Sequence, residues 1–306
     1  MKLKHQQTSF GRHETFPLRV GWLPKSLMAL RQDADVFNQH EQAMRTLGVG
    51  RNMVKAIQYW LRVCNLVEFD TKQNAAPACI TALGDALLGE RADPYLEDDA
   101  TLWIIHWLIA SNAEMATGFF WFFNRFAAPR FKDADALLAM KDFAATELHL
   151  TTRAETTLKS DISTLLRLYA AVPGRTDEHL DALLAPLGLV EADPDGGYRS
   201  PRTSRPFMPQ LALDFALAQR FAAEPDLQAL PVRSILYAEG AWAAPGAVFR
   251  LNEEGLMTQL ERLIATRPDQ YALRDTAGLH QLFWRDRERR PEPLAVLRDY
   301  YRRYFL

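Results

Sequence analysis

From Thr101 the chain reads TLWIIHWLIASNAEMATGFFWFF, an apolar run that ends at Phe123. A stretch this greasy must lie either across a membrane or in the middle of a core. A spanning helix needs about 20 predominantly apolar residues, and His106, Asn112 and Glu114 interrupt this one. The run therefore reads as helices of a core, with Trp103, Trp107 and the residues from Phe119 to Phe123 packed between them. His106, flanked by tryptophan, reads as a satisfied core histidine rather than a ligand. The rest of the chain can supply the cover: 306 residues, 48% of them hydrophobic and 24% charged, suit roughly two domains.

Ahead of this run lies a second strong pattern. Asp35 to Gly48 reads as a helix stopped by glycine, and Gly48-Val49-Gly50 as a tight connection. A helix from about Asn52 to Cys64 follows, with Met53, Ile57, Trp60, Leu61 and Cys64 forming one apolar stripe. Its opposite face carries Arg51, Lys55, Gln58 and Arg62, with Asn52 and Tyr59 beside them, all able to donate to a phosphate or a base edge. Leu66 to Phe69 and Ala78 to Thr81 read as two strands around a polar turn (Asp70 to Pro77), and Ala82 to Leu88 as a further helix. Helix, glycine turn, helix, hairpin is the order of a winged helix-turn-helix, whose second helix enters the major groove of DNA. Winged helices also dock proteins, and a basic helix face is often plain solvated surface.

Charge is unevenly spread. Met1 to Leu66 holds ten Lys/Arg and four Asp/Glu, a charge of +6, so the remainder carries −8 within a total of −2. A basic head on an acidic body is what a local polyanion site looks like.

The expected fold is mainly α with small β-hairpin wings: a winged-helix DNA-binding domain over 1–92, a helical core over 93–175 and a C-terminal α+β domain over 176–306. Thr152-x-x-Glu155 is a capping box for a helix bearing Leu158, Ile162, Leu165, Leu166 and Tyr169. His179 to Arg202, with a leucine-rich helix and a hairpin turning at Asp193 to Gly197, reads as a second winged-helix-like unit. Gly246 to Leu251 reads as a strand and Asn252 to Ile264 as an amphipathic helix. The basic, aromatic stretches Arg285 to Arg290 and Tyr300 to Tyr304 read as solvated helix surface in preference to a stacking platform for nucleic acid.

Two cysteines, Cys64 and Cys79, make no disulfide framework and suit a reducing compartment. The opening MKLKHQQTSF lacks a signal-peptide core, so a cytoplasmic protein away from the membrane is expected. No phosphate-cradling loop, dinucleotide fingerprint, HExxH or CxxC pair occurs, and no nucleotide cofactor is expected.

Several segments resemble one known family. They are Phe10-Gly11-Arg12-His13-Glu14-Thr15-Phe16 with Arg19 and Trp22-Leu23-Pro24-Lys25, then Leu47-Gly48-Val49-Gly50-Arg51-Asn52-Met53-Val54-Lys55 with Tyr59-Trp60-Leu61. Asp93 to Asp98, Thr101 to Trp107 and Pro245 to Leu251 extend the match along the chain. The family is the SspB-like one of bacterial DNA phosphorothioation, formerly a domain family of unknown function. The resemblance implies a part in replacing a non-bridging phosphate oxygen of double-stranded DNA with sulfur, in antiphage defence. It also implies DNA nicking, and as partners a cysteine desulfurase, an ATPase and a sulfur transferase. It brings no catalytic motif to carry over.

Nicking chemistry therefore has to be sought in the residues themselves. Phosphodiester hydrolysis commonly uses magnesium or manganese held by carboxylates and waters. Asp93 and Glu97, four apart, with Asp98, are the candidate metal ligands, and Asp93 and Glu97 candidate catalytic groups. His13 with Glu14 is a candidate base beside a phosphate held by Arg12 and Arg19; Lys25 joins the DNA-contact set with Arg51, Asn52, Lys55, Gln58, Tyr59 and Arg62. Acidic residues ahead of the apolar run equally suit the positive end of a helix. The alternative function is a non-catalytic winged-helix regulator, or a targeting or scaffold subunit for the modification enzymes.

Overall fold

The computed structural model describes residues 2–4, 7–69, 77–150, 154–171, 182–276, 278–286 and 289–303. Helices α1 (Trp22–Gln32), α2 (His40–Leu47) and α3 (Arg51–Val63) come first. The two-residue strands β1 (Val67–Glu68) and β2 (Cys79–Ile80) then pair antiparallel, and α4 (Ala82–Leu88) follows. Thr81 caps α4, its Oγ1 accepting from Gly84 N at 2.9 Å. Helix α2 begins later than its sequence pattern suggests. Asp33 and Asp35 accept from Asp35 N and Asn38 Nδ2, holding residues 33–38 in turns instead of a helix.

The greasy run becomes α5 (Asp99–Ala110) and α6 (Thr117–Asn124), with every residue from Ala100 to Ala110 buried. Around them lie α7 (Asp133–Thr146) and α8 (Glu155–Tyr169). One continuous hydrophobic core runs from Leu3 to Tyr301, and no described helix is long and apolar enough to cross a membrane.

Strands β4 (Glu191–Ala192) and β5 (Tyr198–Arg199) make the expected hairpin, and β3 (Arg130–Phe131) adds to it in the order β3-β5-β4. Gly197, at φ +84°, lies so close to Phe131 that a Cβ would sit 2.6 Å from its carbonyl oxygen. The start of the helix expected to lead into this hairpin, from His179, lies outside the described residues, as do Thr152 of the capping box and the β1–β2 turn over 70–76. Residues Ala185–Leu187 form a single 3-10 turn.

Helices α9 (Gln210–Ala223), α10 (Val232–Leu236), α11 (Pro245–Val248), α12 (Glu253–Thr266) and α13 (Pro293–Arg302) complete the body. A second sheet joins β6 (Ala229–Pro231), β8 (Leu279–Trp284) and β7 (Tyr271–Thr276) in that order. The expected strand over Gly246 to Leu251 is instead the short helix α11 and a turn. Pro245 occupies its first position, and Gly246 approaches the backbone of α10 too closely for any side chain.

His106 shows how the core closes. Its Nε2 donates to Val248 O at 2.9 Å, which leaves Nδ1 to accept from the Tyr169 hydroxyl at 2.7 Å. One neutral ring thus joins α5, α8 and α11. Burial is the main reason that its pKa falls from 6.5 to about 3. The unfolded chain takes up this proton near pH 6.5 and the folded one only near pH 3. The ring's contribution to stability is therefore complete above pH 6.5 and is lost as the pH falls towards 3, by about 1.4 kcal/mol per unit. In urea unfolding at pH 7 and 4.5, His106→Gln should be less stable at pH 7 and decline less with acid. Equal acid slopes in variant and wild type would show that His106 is not the group responsible.

Candidate nucleic-acid interface

Gly48 ends α2 in the left-handed region at φ +68°, and its N–H returns to Met44 O at 2.9 Å. Gly50 then opens α3 with no side-chain cap, and no acidic residue stands in the first turn of α3. Arg51, Asn52 and Lys55 are exposed there. Arg51, in the first turn, opposes the helix dipole at a cost of some tenths of a kcal/mol, and Lys55 stands one turn on. Uncapped N–H groups beside two free-standing cations form an end of the helix that an anion would stabilise.

The stripe continues through Gln58 and Arg62, both half-buried. The Arg62 guanidinium lies 4.2 Å over the Phe69 ring, which in turn meets Phe37 edge-on at 5.5 Å. Burial lowers the Arg62 pKa. Tyr59 does not belong to the stripe. It is buried, its hydroxyl donates to Met115 O at 3.1 Å, and burial beside Asp161 pushes its pKa well above the usual range. The apolar stripe predicted for this helix is wider than the five residues that define it, and Tyr59 falls inside it.

Arg12 and Lys25 are exposed, on the opening segment and on α1. These elements meet α3 through its buried flank, where Trp60 Nε1 donates to Phe16 O at 3.1 Å. Arg19 is half-buried against Phe16 and Trp22, 5.8 and 5.6 Å from their ring centres. Exposed basic residues therefore lie on the opening segment, on α1 and along α3, and those of α3 share one helix face.

His13 is fully buried, which corrects its reading as a base. Its Nε2 lies 2.7 Å from Asp161 Oδ1, and its Nδ1 accepts from Thr15 N at 3.1 Å. Since Nδ1 is an acceptor, Nε2 carries the proton and donates it to the carboxylate. Asp161 Oδ1 also accepts from Gly11 N at 2.8 Å, and its carboxylate lies against Gly118, where a Cβ would come within 2.7 Å. Glu14 next to it is half-buried with φ +50°. The sequence-level reading missed Asp161, which has no neighbour in sequence to mark it as the partner of His13.

The acidic segment is also corrected. Asp93 and Glu97 do not share a helical face, because residues 93–98 form turns with Leu96 at φ +60°. Asp93 is 7% exposed, and its two oxygens accept from Glu97 N (2.8 Å) and Asp98 N (3.0 Å). Asp98 caps α5 through Ala100 N at 2.8 Å, and Glu97 is exposed. With Tyr301 these residues line an open recess of about 500 Å³. Among the described residues no group of three His, Cys, Asp or Glu side chains converges as a metal site. Of the expected set, Asp93 accepts a backbone N–H on each oxygen and Asp98 on one, and with Glu97 they do not converge on a common point that could hold a magnesium ion.

The architecture is that of SspB. A magnesium ion-bound SspB crystal structure matches with a TM-score of 0.82 and 24% identity, over 98% of this chain and 89% of that one. A second SspB crystal structure matches with a TM-score of 0.80 and 25% identity, over 97% and 88%. The chain belongs to the DUF4007 family, described as a protein of unknown function, whose model matches residues 10–301; it is an SspB-like member. A search of curated proteins finds no match.

If Asp93 is an architectural residue, Asp93→Ala should cost about 2 kcal/mol in urea unfolding, through two backbone N–H groups left without an acceptor. DNA affinity at a temperature where the variant is folded should be unchanged. A variant as stable as wild type but altered in DNA or metal binding would return Asp93 to the functional set.

Proposed function

We propose that this protein is the DNA-engaging component of a phosphorothioate modification and antiphage system, gripping duplex DNA through the exposed stripe of α3. The observation that carries the reading is the first turn of α3. Gly50 leaves its N–H groups uncapped, Arg51 stands there against the helix dipole with Asn52 beside it, and Lys55 follows one turn on. A phosphate would satisfy the N–H groups and neutralise both cations. Whole-length likeness to SspB supports the pathway. The same likeness makes a cysteine desulfurase, an ATPase and a sulfur transferase the partners to test.

Fluorescence anisotropy on a labelled duplex tests the grip. Arg51→Ala/Lys55→Ala should weaken binding by about tenfold or more near 0.1 M salt and flatten the salt dependence by about 2 in the log–log slope. Affinity and slope equal to wild type would remove α3 from the interface.

Nicking is the second reading, favoured by the magnesium ion bound in one SspB crystal structure. Among the described residues no cluster of carboxylates converges to hold such an ion, so we assign nicking no step in this chain. Supercoiled plasmid incubated with the protein in magnesium, manganese or EDTA separates the two. The α3 reading alone expects a gel shift with the plasmid still supercoiled. Open circles that form with metal and not with EDTA would make the protein a nickase, with ligands other than Asp93.

A further inference from the structure

Phe207 is 95% exposed, in a loop that is otherwise firmly held. Thr203 N donates to Arg250 O and Asn252 N to Thr203 O, each at 2.9 Å. Arg205, at φ +42°, gives its guanidinium to Leu187 O (3.2 Å) and Gly188 O (3.1 Å). Gln259 Nε2 donates to Arg205 O at 3.2 Å and Arg262 Nη1 to Pro206 O at 2.9 Å, while Met208 is buried. Residues on both sides of Phe207 are thus fixed, and a non-glycine residue is kept in the left-handed region to do it. A loop free to fold its phenyl ring inward would gain from burying it; this one presents the ring to solvent.

An open recess of about 590 Å³ begins two residues further on, at Pro209 and Gln210. Its far wall is the end of α13, which contributes Tyr300, Arg302 and Arg303. Arg302 and Arg303 are exposed, and Arg302 is only loosely paired with Asp299 at 3.7 Å. Arg267, also in the wall, is tied to the buried Asp214 at 2.6 Å, and Asp299 lines the wall beside Arg302, so the cations of the recess that face solvent are Arg302 and Arg303. The basic end of α13 is thus solvent-exposed, as its sequence suggests, and it lines a recess that begins two residues from Phe207, the most exposed aromatic ring among the described residues.

We propose that Phe207 and the neighbouring recess together bind unpaired nucleotides of a nucleic-acid strand, one base stacking on Phe207 and the adjoining phosphates meeting Arg302 and Arg303. A ring held out of the core offers a flat face that every base can use, and cations beside it track the backbone. Double-stranded DNA hides its base faces in its own stack, so the ring favours a strand that is already open. The site lies apart from α3 and does not depend on the reading of that helix.

The test is anisotropy of the full chain with a labelled oligothymidine of 12 nucleotides, against a duplex of equal length. Phe207→Ala should lower oligothymidine affinity by about tenfold or more and leave duplex affinity unchanged, and Phe207→Trp should restore it. Arg302→Ala/Arg303→Ala should flatten the salt dependence for the single strand by about 1.4 in the log–log slope. Arg51→Ala/Lys55→Ala should still bind oligothymidine, so a failure of the α3 reading leaves this result standing. No binding of oligothymidine by wild type, or equal binding by wild type and Phe207→Ala, overturns the proposal; duplex binding by wild type would then still stand for α3.

Discussion

Much of this fold hangs on one buried cation. Arg250, fully enclosed, donates from Nη2 to Phe122 O (3.0 Å), from Nη1 to Phe126 O (3.1 Å) and from Nε to Ser200 Oγ (3.0 Å). The rings of Phe122 and Phe123 lie 5.1 and 5.3 Å from its guanidinium carbon. It closes the carbonyl end of α6, where the helix dipole favours positive charge, and it ties that end to Ser200, the residue just past β5. Burial, and then the neighbouring Arg202 and Arg205, lower its pKa to about 9, so it remains charged at neutral pH. Neutral carbonyls, a hydroxyl and two aromatic faces hold the charge. The geometry needed for three such bonds fixes α6, the β3–β5–β4 sheet and the α11 turn relative to one another, and Arg250 itself is held at φ +51° to provide it.

The segments that make the chain recognisable are joints of the same kind. In the opening motif Gly11 and His13 serve Asp161, while Thr15 O receives Arg167 at 3.1 Å and Phe16 O receives Trp60. In the segment from Leu47 to Lys55, Gly48 and Gly50 shape the turn and only Arg51, Asn52 and Lys55 face outward. The segment from Pro245 supplies Val248 O to His106 and the Arg250 side chain to α6. These motifs describe how layers are locked together, and the chemistry of the surface has to be argued separately.

What could be read beforehand follows from this. Helices α3, α4, α5, α6, α8 and α12 stand out because periodicity and capping are local properties. The hairpin around Gly196 and Gly197 is legible for the same reason. Gly246 to Leu251 misleads, since a short, wholly buried apolar run reads the same in a strand and in a helical turn. Exposure of the candidate site residues is harder still. Asp93 looks like half of a carboxylate pair until the turn at Leu96 brings two backbone N–H groups to it, and Tyr59 looks like a hydrogen-bond donor on a basic face until α6 and its approach cover it. Phe207 carries no sequence signal, because only the surrounding hydrogen bonds separate a displayed phenylalanine from a core one.

Closure between distant parts of the sequence also bears on how the protein is made. Tyr301 hydroxyl meets Thr101 Oγ1 at 2.6 Å across 200 residues, and Leu3 N donates to Ala241 O at 2.7 Å. At a translation rate of about 5–20 residues per second, α5 leaves the ribosome roughly 10–40 s before the helix that covers its first turn exists. During that interval the most apolar segment of the chain lacks part of its wrapping. Until then apolar surface at the start of α5 stays uncovered, so the order of synthesis, as well as the stability of the finished fold, bears on how the chain reaches its structure.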